Sequence, residues 1–125
     1  MSSYNGADSH FPFAMFIDSH CHIDFPELSD RLPDILQKMR DSQVSHALCV
    51  SITMPEFPRV LALAEAHPNL YASVGVHPDC EETEEPSVDE LVSLATHPRI
   101  VAIGETGLDY YRLSGDLEWQ RNRFR

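Results

Sequence analysis

The sequence predicts an α/β fold, namely the first half of a (β/α)8 barrel of the TIM type with about four β/α units. Two observations predict it: four short apolar runs with strand character recur along the chain, and a segment with helical spacing follows each run. Strands that alternate with helices indicate right-handed βαβ connections and a parallel sheet. Four such strands leave two open edges, whereas a barrel of about 250 residues closes its sheet completely.

The first half of the chain supplies two predicted strands and two predicted helices. Its strands are the apolar runs at residues 15–18 and 46–52. The first helix is predicted over residues 31–42, because its apolar residues recur at helical spacing and Asp30 can cap its start. The second helix is predicted over residues 55–66.

The second half repeats the pattern, with strands predicted at residues 70–76 and 100–104. The third helix is predicted to begin at Ser87, whose spacing to Glu90 forms a capping box. A fourth helix starts near Asp116 and keeps helical spacing to the last residue without a Gly or Pro stop signal. We therefore expect the chain to be truncated inside this helix.

The composition places one domain at residues 15–125, after a predicted flexible extension at residues 1–14 that has no periodic pattern. No apolar run approaches the roughly 18 residues that span a bilayer, and the N-terminus lacks the order of a signal peptide. Three cysteines without a CxxC pair indicate reduced thiols. We therefore expect a cytoplasmic protein that does not bind membranes.

The motif DSHCHID directly follows the first predicted strand. Side chains alternate along a strand, so His20 and His22 lie on one face and Cys21 on the other. We predict that the two imidazoles bind one metal ion and that Cys21 is a small core residue. The roles of Asp18 and Asp24 stay open. Each is either a hydrogen-bond partner that orients an imidazole or a plain turn residue.

The motif GETGLDYYR follows the fourth predicted strand. Glycines flank Glu105, which lets the backbone turn sharply and leaves the carboxylate on the rim of the sheet. A carboxylate can bridge two divalent ions, which stabilise the attacking and leaving oxygens of phosphodiester hydrolysis. We predict Glu105 as a metal ligand and catalytic residue. Asp109 is expected to orient a ligand, and Arg112 to bind a phosphate unless it is only a solvated surface residue.

The motif GVHPD places His77 after the third predicted strand, with Pro78 stiffening the turn. His77 is predicted to be catalytic and substrate-binding, because an imidazole can donate a hydrogen bond to a phosphate or act as a general acid. A capping histidine without a catalytic role is the alternative. The carboxyl ends of parallel strands meet at one rim, so we expect this side chain near His20, His22 and Glu105.

These three motifs in this order resemble the TatD family of metal-dependent hydrolases, and the resemblance covers residues 15–125. It implies a metal-binding barrel that hydrolyses phosphodiester bonds, typically as a deoxyribonuclease. It matches His20 and His22 to the family's first metal pair and Glu105 to its usually bridging glutamate. It matches His77 and Arg112 to positions near the substrate. The family completes its site with histidines and an aspartate from the second half of the barrel, so we expect an incomplete site here.

The expected cofactors are one or two divalent metal ions, and Mg, Mn and Zn all suit two histidines and a glutamate. The resemblance implies DNA as the substrate. We expect single strands or strand ends, because a net charge of −11 argues against a broad basic face for duplex binding. Two alternatives stay open. One is an amide or ester hydrolase, such as an aminoacyl-tRNA deacylase, and the other is a noncatalytic half-barrel that binds a partner through its open edges.

Overall fold

The computed structural model describes residues 15–125, so the extension predicted at residues 1–14 lies outside the described residues. Strands and helices alternate as the sequence predicts. In chain order the elements are β1 (Phe16–Cys21), α1 (Pro26–Ser29), α2 (Leu32–Asp41), β2 (Val44–Cys49), α3 (Phe57–Ala66), β3 (Leu70–Val74), α4 (Val88–Leu94), β4 (Ile100–Ile103) and α5 (Glu118–Phe124).

The four strands form one parallel sheet in the order β1-β2-β3-β4, which confirms the predicted α/β architecture. Because the strands run parallel, their carboxyl ends lie along one rim. None of the helices in residues 15–125 combines the length and the apolar character needed to cross a membrane.

The hydrophobic core lies between the sheet and the helices that cover one of its faces. Helix α3 buries Phe57, Val60 and Ala64 against this core, which includes the fully buried Leu70 and Val74 of β3. Each large apolar side chain buried in this way stabilises the fold by about 1.5–3 kcal/mol. The apolar stripe predicted for α2 packs against the same core with its residues Leu32, Ile35, Leu36 and Met39.

Local hydrogen bonds move several element boundaries away from their predicted positions. Helix α2 begins one residue later than predicted, and Arg31 rather than Asp30 occupies the N-cap position, without a side-chain cap. A short helix that was not predicted, α1, precedes it. Strand β2 ends at Cys49: the N–H of Val50 still donates to the carbonyl of Cys21 in β1 at 2.9 Å, but the N–H of Ser51 donates to the Ser73 hydroxyl instead of a backbone carbonyl. The predicted cap at Ser87 is confirmed, since its hydroxyl accepts the amide N–H of Glu90 at 3.1 Å.

The backbone directly after β3, at Gly75, lies very close to the backbone directly after β4, at Gly104. A Cβ atom at this position would lie 2.8 Å from the carbonyl carbon and oxygen of Gly104. Only a glycine therefore fits between the ends of β3 and β4.

We predict that Gly75→Ala lowers the free energy of unfolding by about 1–3 kcal/mol, the usual cost of overpacking. Urea denaturation would measure the change. Gly104→Ala is the matched control, because its added Cβ meets nothing closer than the Ser73 hydroxyl oxygen at 4.0 Å. Equal losses in the two variants would contradict the close-approach explanation.

Candidate metal centre

The candidate site lies on the rim formed by the carboxyl ends of the strands. His20 belongs to the end of β1, and His22 follows that strand directly. His77 comes three residues after β3, and Glu105 comes two residues after β4. The peptide bond between Gly104 and Glu105 is cis.

Three side chains converge at one point of this rim. The Nε2 atoms of His20 and His22 lie 3.2 Å apart, and the Nε2 atom of His20 lies 3.3 Å from Oε2 of Glu105. Four ligands placed tetrahedrally about 2.0 Å from a zinc ion are separated from one another by about 3.3 Å. The spacing of these three donors therefore fits a single divalent ion.

The hydrogen bonding of His22 adds a second argument for a metal site. Its Nδ1 lies 3.1 Å from the carbonyl oxygen of Val50. A carbonyl oxygen only accepts, so Nδ1 carries the proton and Nε2 keeps its lone pair for an ion. The ring also stacks on Phe25 at a centroid distance of 5.1 Å, which fixes its plane. The residues present therefore fit the divalent ion that the sequence implies.

The convergence of His20 and Glu105 requires a curved sheet. Their strands, β1 and β4, are the two outermost of four, and in a flat sheet these would lie roughly 14 Å apart, since neighbouring strands are about 4.8 Å apart. The two side chains nevertheless come within 3.3 Å of each other. The sheet therefore curves toward this face, as a section of a barrel does.

His77 joins the same site through the other oxygen of the glutamate. Its Nε2 lies 3.3 Å from Oε1 of Glu105, and its Nδ1 lies 2.5 Å from Oδ1 of Asp79. The side chain is only 12% exposed. The structure therefore brings together the three histidines and the glutamate that were expected on this rim.

Arg112 lines the cleft beside these residues but is already paired with carboxylates. Its Nη1 donates to Oδ2 of Asp109 at 2.9 Å, and its Nε lies 3.9 Å from Oδ2 of Asp79. The backbone amide and guanidinium of Arg112 hold the pKa of the Asp109 carboxyl below its usual range. The cleft has a volume of about 350 Å³ and is lined by His22, Phe25, Ile52, His77, Asp79 and Arg112.

The two aspartates that the sequence left open take different positions. The carboxylate of Asp18 accepts the backbone N–H of His20 at 3.1 Å. Asp24 is 4% exposed and pairs with Arg59 of α3 at 3.2 Å, while its Oδ1 has no hydrogen-bond partner among the described residues. Asp24 thus ties the loop after β1 to α3 and does not orient an imidazole.

The three cysteines are free thiols, as the sequence indicates. Cys21 packs against the core, and its thiol lies 3.4 Å from the carbonyl oxygen of Leu48. Cys49 is fully buried, and its contact with Cys21 together with burial raises the pKa of its thiol. Cys80 lies on the rim, where burial and the neighbouring Asp79 carboxylate raise the pKa of its thiol.

Two buried serines support the rim, and the sequence analysis did not identify them. The hydroxyl of Ser73 accepts the backbone N–H of Ser51 at 3.0 Å and donates to the carbonyl of Gly104 at 2.7 Å. The hydroxyl of Ser51 donates to the carbonyl of Gly75 at 3.1 Å. We call these three bonds the serine seam. The signal in the sequence is a serine inside each of the apolar runs HALCVSI and LYASVGV.

Comparison with known proteins identifies the family. The model of the family described as TatD related DNase matches residues 17–125. The chain belongs to the TatD family.

Several members of the TatD family are similar to this chain over most of its length. An uncharacterized metal-dependent hydrolase of Escherichia coli, YjjV, is 37% identical over 87% of this chain and 42% of its own. The crystal structure of YjjV superimposes with a TM-score of 0.72 and 36% identity over 87% of this chain and 43% of that one. The 3'-5' ssDNA/RNA exonuclease TatD of Salmonella typhimurium is 32% identical over 73% of this chain and 35% of its own.

The chain thus spans less than half the length of the relatives that it matches. A hydrolase of the TatD family from Entamoeba histolytica gives a similar result, with a TM-score of 0.70 and 25% identity over 43% of its own length. The four β/α units therefore form a partial TatD barrel, which confirms the predicted fold class.

We predict that His20→Ala weakens the binding of Mn²⁺ by about tenfold or more, because losing even an outer partner of a ligand costs about 10–100-fold. Electron paramagnetic resonance of free Mn²⁺ would measure the affinity. His67→Ala is the matched control, since His67 ends α3 away from the rim. The same affinity in the His20 variant and the control would exclude His20 as a ligand.

We also predict that Ser73→Ala lowers the free energy of unfolding by about 2 kcal/mol, because it leaves two buried backbone groups without a partner. Thermal or urea unfolding would measure the loss. Ser29→Ala is the control, since the Ser29 hydroxyl is exposed and its removal should change stability by less than about 0.5 kcal/mol. A neutral Ser73 variant would show that the seam does not support the rim.

Proposed function

We propose that this chain provides the first half of the active site of a metal-dependent deoxyribonuclease that hydrolyses phosphodiester bonds. The observation that carries the proposal is the convergence of His20, His22 and Glu105 beside His77 in one cleft. The relatives called metal-dependent hydrolases and the exonuclease TatD support it. Because the chain spans less than half of those relatives, the activity is proposed for the complete barrel.

The proposed metal ligands are His20, His22 and Glu105, with Mg²⁺, Mn²⁺ or Zn²⁺ as the ion. A divalent ion in this site supplies Lewis acidity toward a phosphoryl oxygen and lowers the pKa of water toward neutral. The carbonyl of Val50 keeps the His22 ring in the tautomer whose Nε2 is free to bind an ion. One ion fits the three donors of this chain, and a second ion needs ligands from the other half of the barrel.

His77 is the proposed partner of the substrate. An Nε2–H group here faces Glu105 and the cleft, so it can donate to a phosphate oxygen or protonate a leaving oxygen. Arg112 lines the same cleft, and its guanidinium can bind a phosphate through two parallel hydrogen bonds. Asp109 holds this guanidinium at the edge of the cleft until a phosphate competes for it.

We propose single strands or strand ends as the substrate. The net charge of −11 disfavours long contact with a duplex, whereas an ion and one arginine suffice to hold a single phosphate. The name of the TatD exonuclease, which includes single-stranded DNA and RNA, supports this choice. The three free thiols favour a reducing compartment, and we propose the cytoplasm.

We predict that Glu105→Ala in the full-length protein removes most of the nuclease activity, because the variant lacks a ligand that also contacts both His20 and His77. The release of nucleotides from labelled single-stranded DNA, with Mg²⁺, Mn²⁺ or Zn²⁺ added, would measure it. Glu82→Ala is the matched control on an exposed loop and should keep the activity.

The same experiment separates the proposal from its alternatives. A Glu105→Ala variant with the rate of the unmodified protein would refute the assignment of Glu105 as a ligand. Hydrolysis of an aminoacyl-tRNA ester, without any cleavage of DNA, would move the function to the ester-hydrolase alternative. Absence of hydrolysis on both substrates in every metal would favour a binding role.

A further inference from the structure

We propose that Cys21 and Cys49 form a redox-sensitive dithiol, which a peroxide oxidises to an intramolecular disulfide. The two sulfur atoms lie 3.9 Å apart, and both cysteines are free thiols in the structure. The inference does not depend on the proposed hydrolytic function, because it concerns only the chemistry of these two sulfurs.

The register of the sheet places the two cysteines side by side. Cys21 is the last residue of β1, Cys49 is the last residue of β2, and the two are partners in the parallel ladder. Neighbouring strands lie about 4.8 Å apart. This spacing falls within the Cα separation of about 4.4–6.8 Å that disulfides span. The pairing therefore brings the two backbones to a distance that a disulfide can bridge.

The two side chains also share one face of the sheet. Cys49 belongs to the hydrophobic core, and Cys21 packs against that core. The Cys21 thiol lies 3.4 Å from the carbonyl oxygen of Leu48, a contact that it would give up on oxidation. An S–S bond is about 2.05 Å long, so the sulfurs need to approach each other by about 2 Å. Rotation of the side chains about their Cα–Cβ bonds moves both sulfurs without separating the strands.

The two thiols differ in their access to solvent, which gives them different roles. Cys21 is half-buried, whereas Cys49 is 0% exposed. A small oxidant therefore reaches Cys21 first, and Cys49 is the thiol that resolves the oxidised sulfur. Cys80 contacts the carboxylate of Asp79 at 3.6 Å instead of a sulfur, so it serves as an internal control.

Hydrogen peroxide is sufficient as the oxidant. The sulfur of Cys21 attacks one peroxide oxygen, the O–O bond breaks, and water leaves with the thiol proton as Cys21 becomes a sulfenic acid. The sulfur of Cys49 then attacks the Cys21 sulfur, the S–O bond breaks, and the hydroxyl group leaves as water with the Cys49 proton. Two thiols and one peroxide thus give one disulfide and two waters, with two electrons passing from the sulfurs to the peroxide.

The disulfide would form at the strand end that carries the proposed metal ligands. Cys21 lies between His20 and His22 in the sequence. Val50, which follows Cys49, accepts from the His22 ring through its carbonyl and donates its N–H to the carbonyl of Cys21. In reducing compartments, disulfides are usually transient and often sense oxidants. The pair is therefore an oxidation-sensitive link between β1 and β2 beside the candidate metal centre.

The experiment treats the folded, unmodified 125-residue chain with excess hydrogen peroxide in the presence of a chelator. Catalase and acid stop the reaction, and the chain is then unfolded, alkylated and mapped by mass spectrometry. We expect Cys21 and Cys49 to become inaccessible to alkylation together, with the loss of two hydrogens and one peptide link between them. Dithiothreitol should restore both thiols.

Variants separate the two roles. Cys49→Ala should stop at a sulfenic acid on Cys21, which dimedone traps, whereas Cys80→Ser should form the disulfide as the unmodified chain does. Circular dichroism checks that each variant is folded. Persistence of both thiols in the folded unmodified chain, a disulfide that involves Cys80, or a link only between two chains would each overturn the proposal. Absence of nuclease activity would not affect it, because the measurement reports a sulfur–sulfur bond.

Discussion

The serine seam is the interaction on which the rest of the rim depends. It connects the segments that follow β2, β3 and β4 through hydroxyls and backbone groups that are completely removed from water. A buried hydrogen bond contributes only about 1 kcal/mol net, but a buried group left without its partner costs about 1–3 kcal/mol. The seam therefore acts mainly by excluding other arrangements of the three loops.

The backbone positions of Glu105 and His77 follow from this arrangement. The Ser51 carbonyl accepts the backbone N–H of Glu105 at 3.1 Å, and the next carbonyl, of Ile52, accepts the N–H of His77 at 2.8 Å. Two consecutive carbonyls after β2 thus set the positions of two functional residues from other strands. The close approach of Gly75 to Gly104 allows this spacing, because a side chain there would push the two loops apart.

The local pattern of the sequence predicts the elements and the candidate metal ligands, because those predictions depend on neighbouring residues. Alternation along a strand is enough to place His20 and His22 together, and the position of Glu105 after an apolar run is enough to put it on the rim. The serine seam and the pair between Asp24 and Arg59 join residues that lie 22 to 35 positions apart. Such contacts depend on how the strands are ordered and curved, which no local pattern carries. The contact between Asp79 and His77 escaped for a different reason, because it is local but depends on the rotamer of the His77 ring.

The curvature of the sheet has a consequence for how an ion and the fold depend on each other. His20 and Glu105 extend from the two outermost strands, so an ion bound by both would connect the two edges of the sheet across its concave face. The free energy needed to keep the sheet bent would then weaken the binding of the ion. In turn, binding of the ion would stabilise the bent sheet against flattening by the same free energy. Changes far from the ligands that stiffen or relax the bend should therefore alter how tightly the ion is held, although they touch neither the ion nor its ligands.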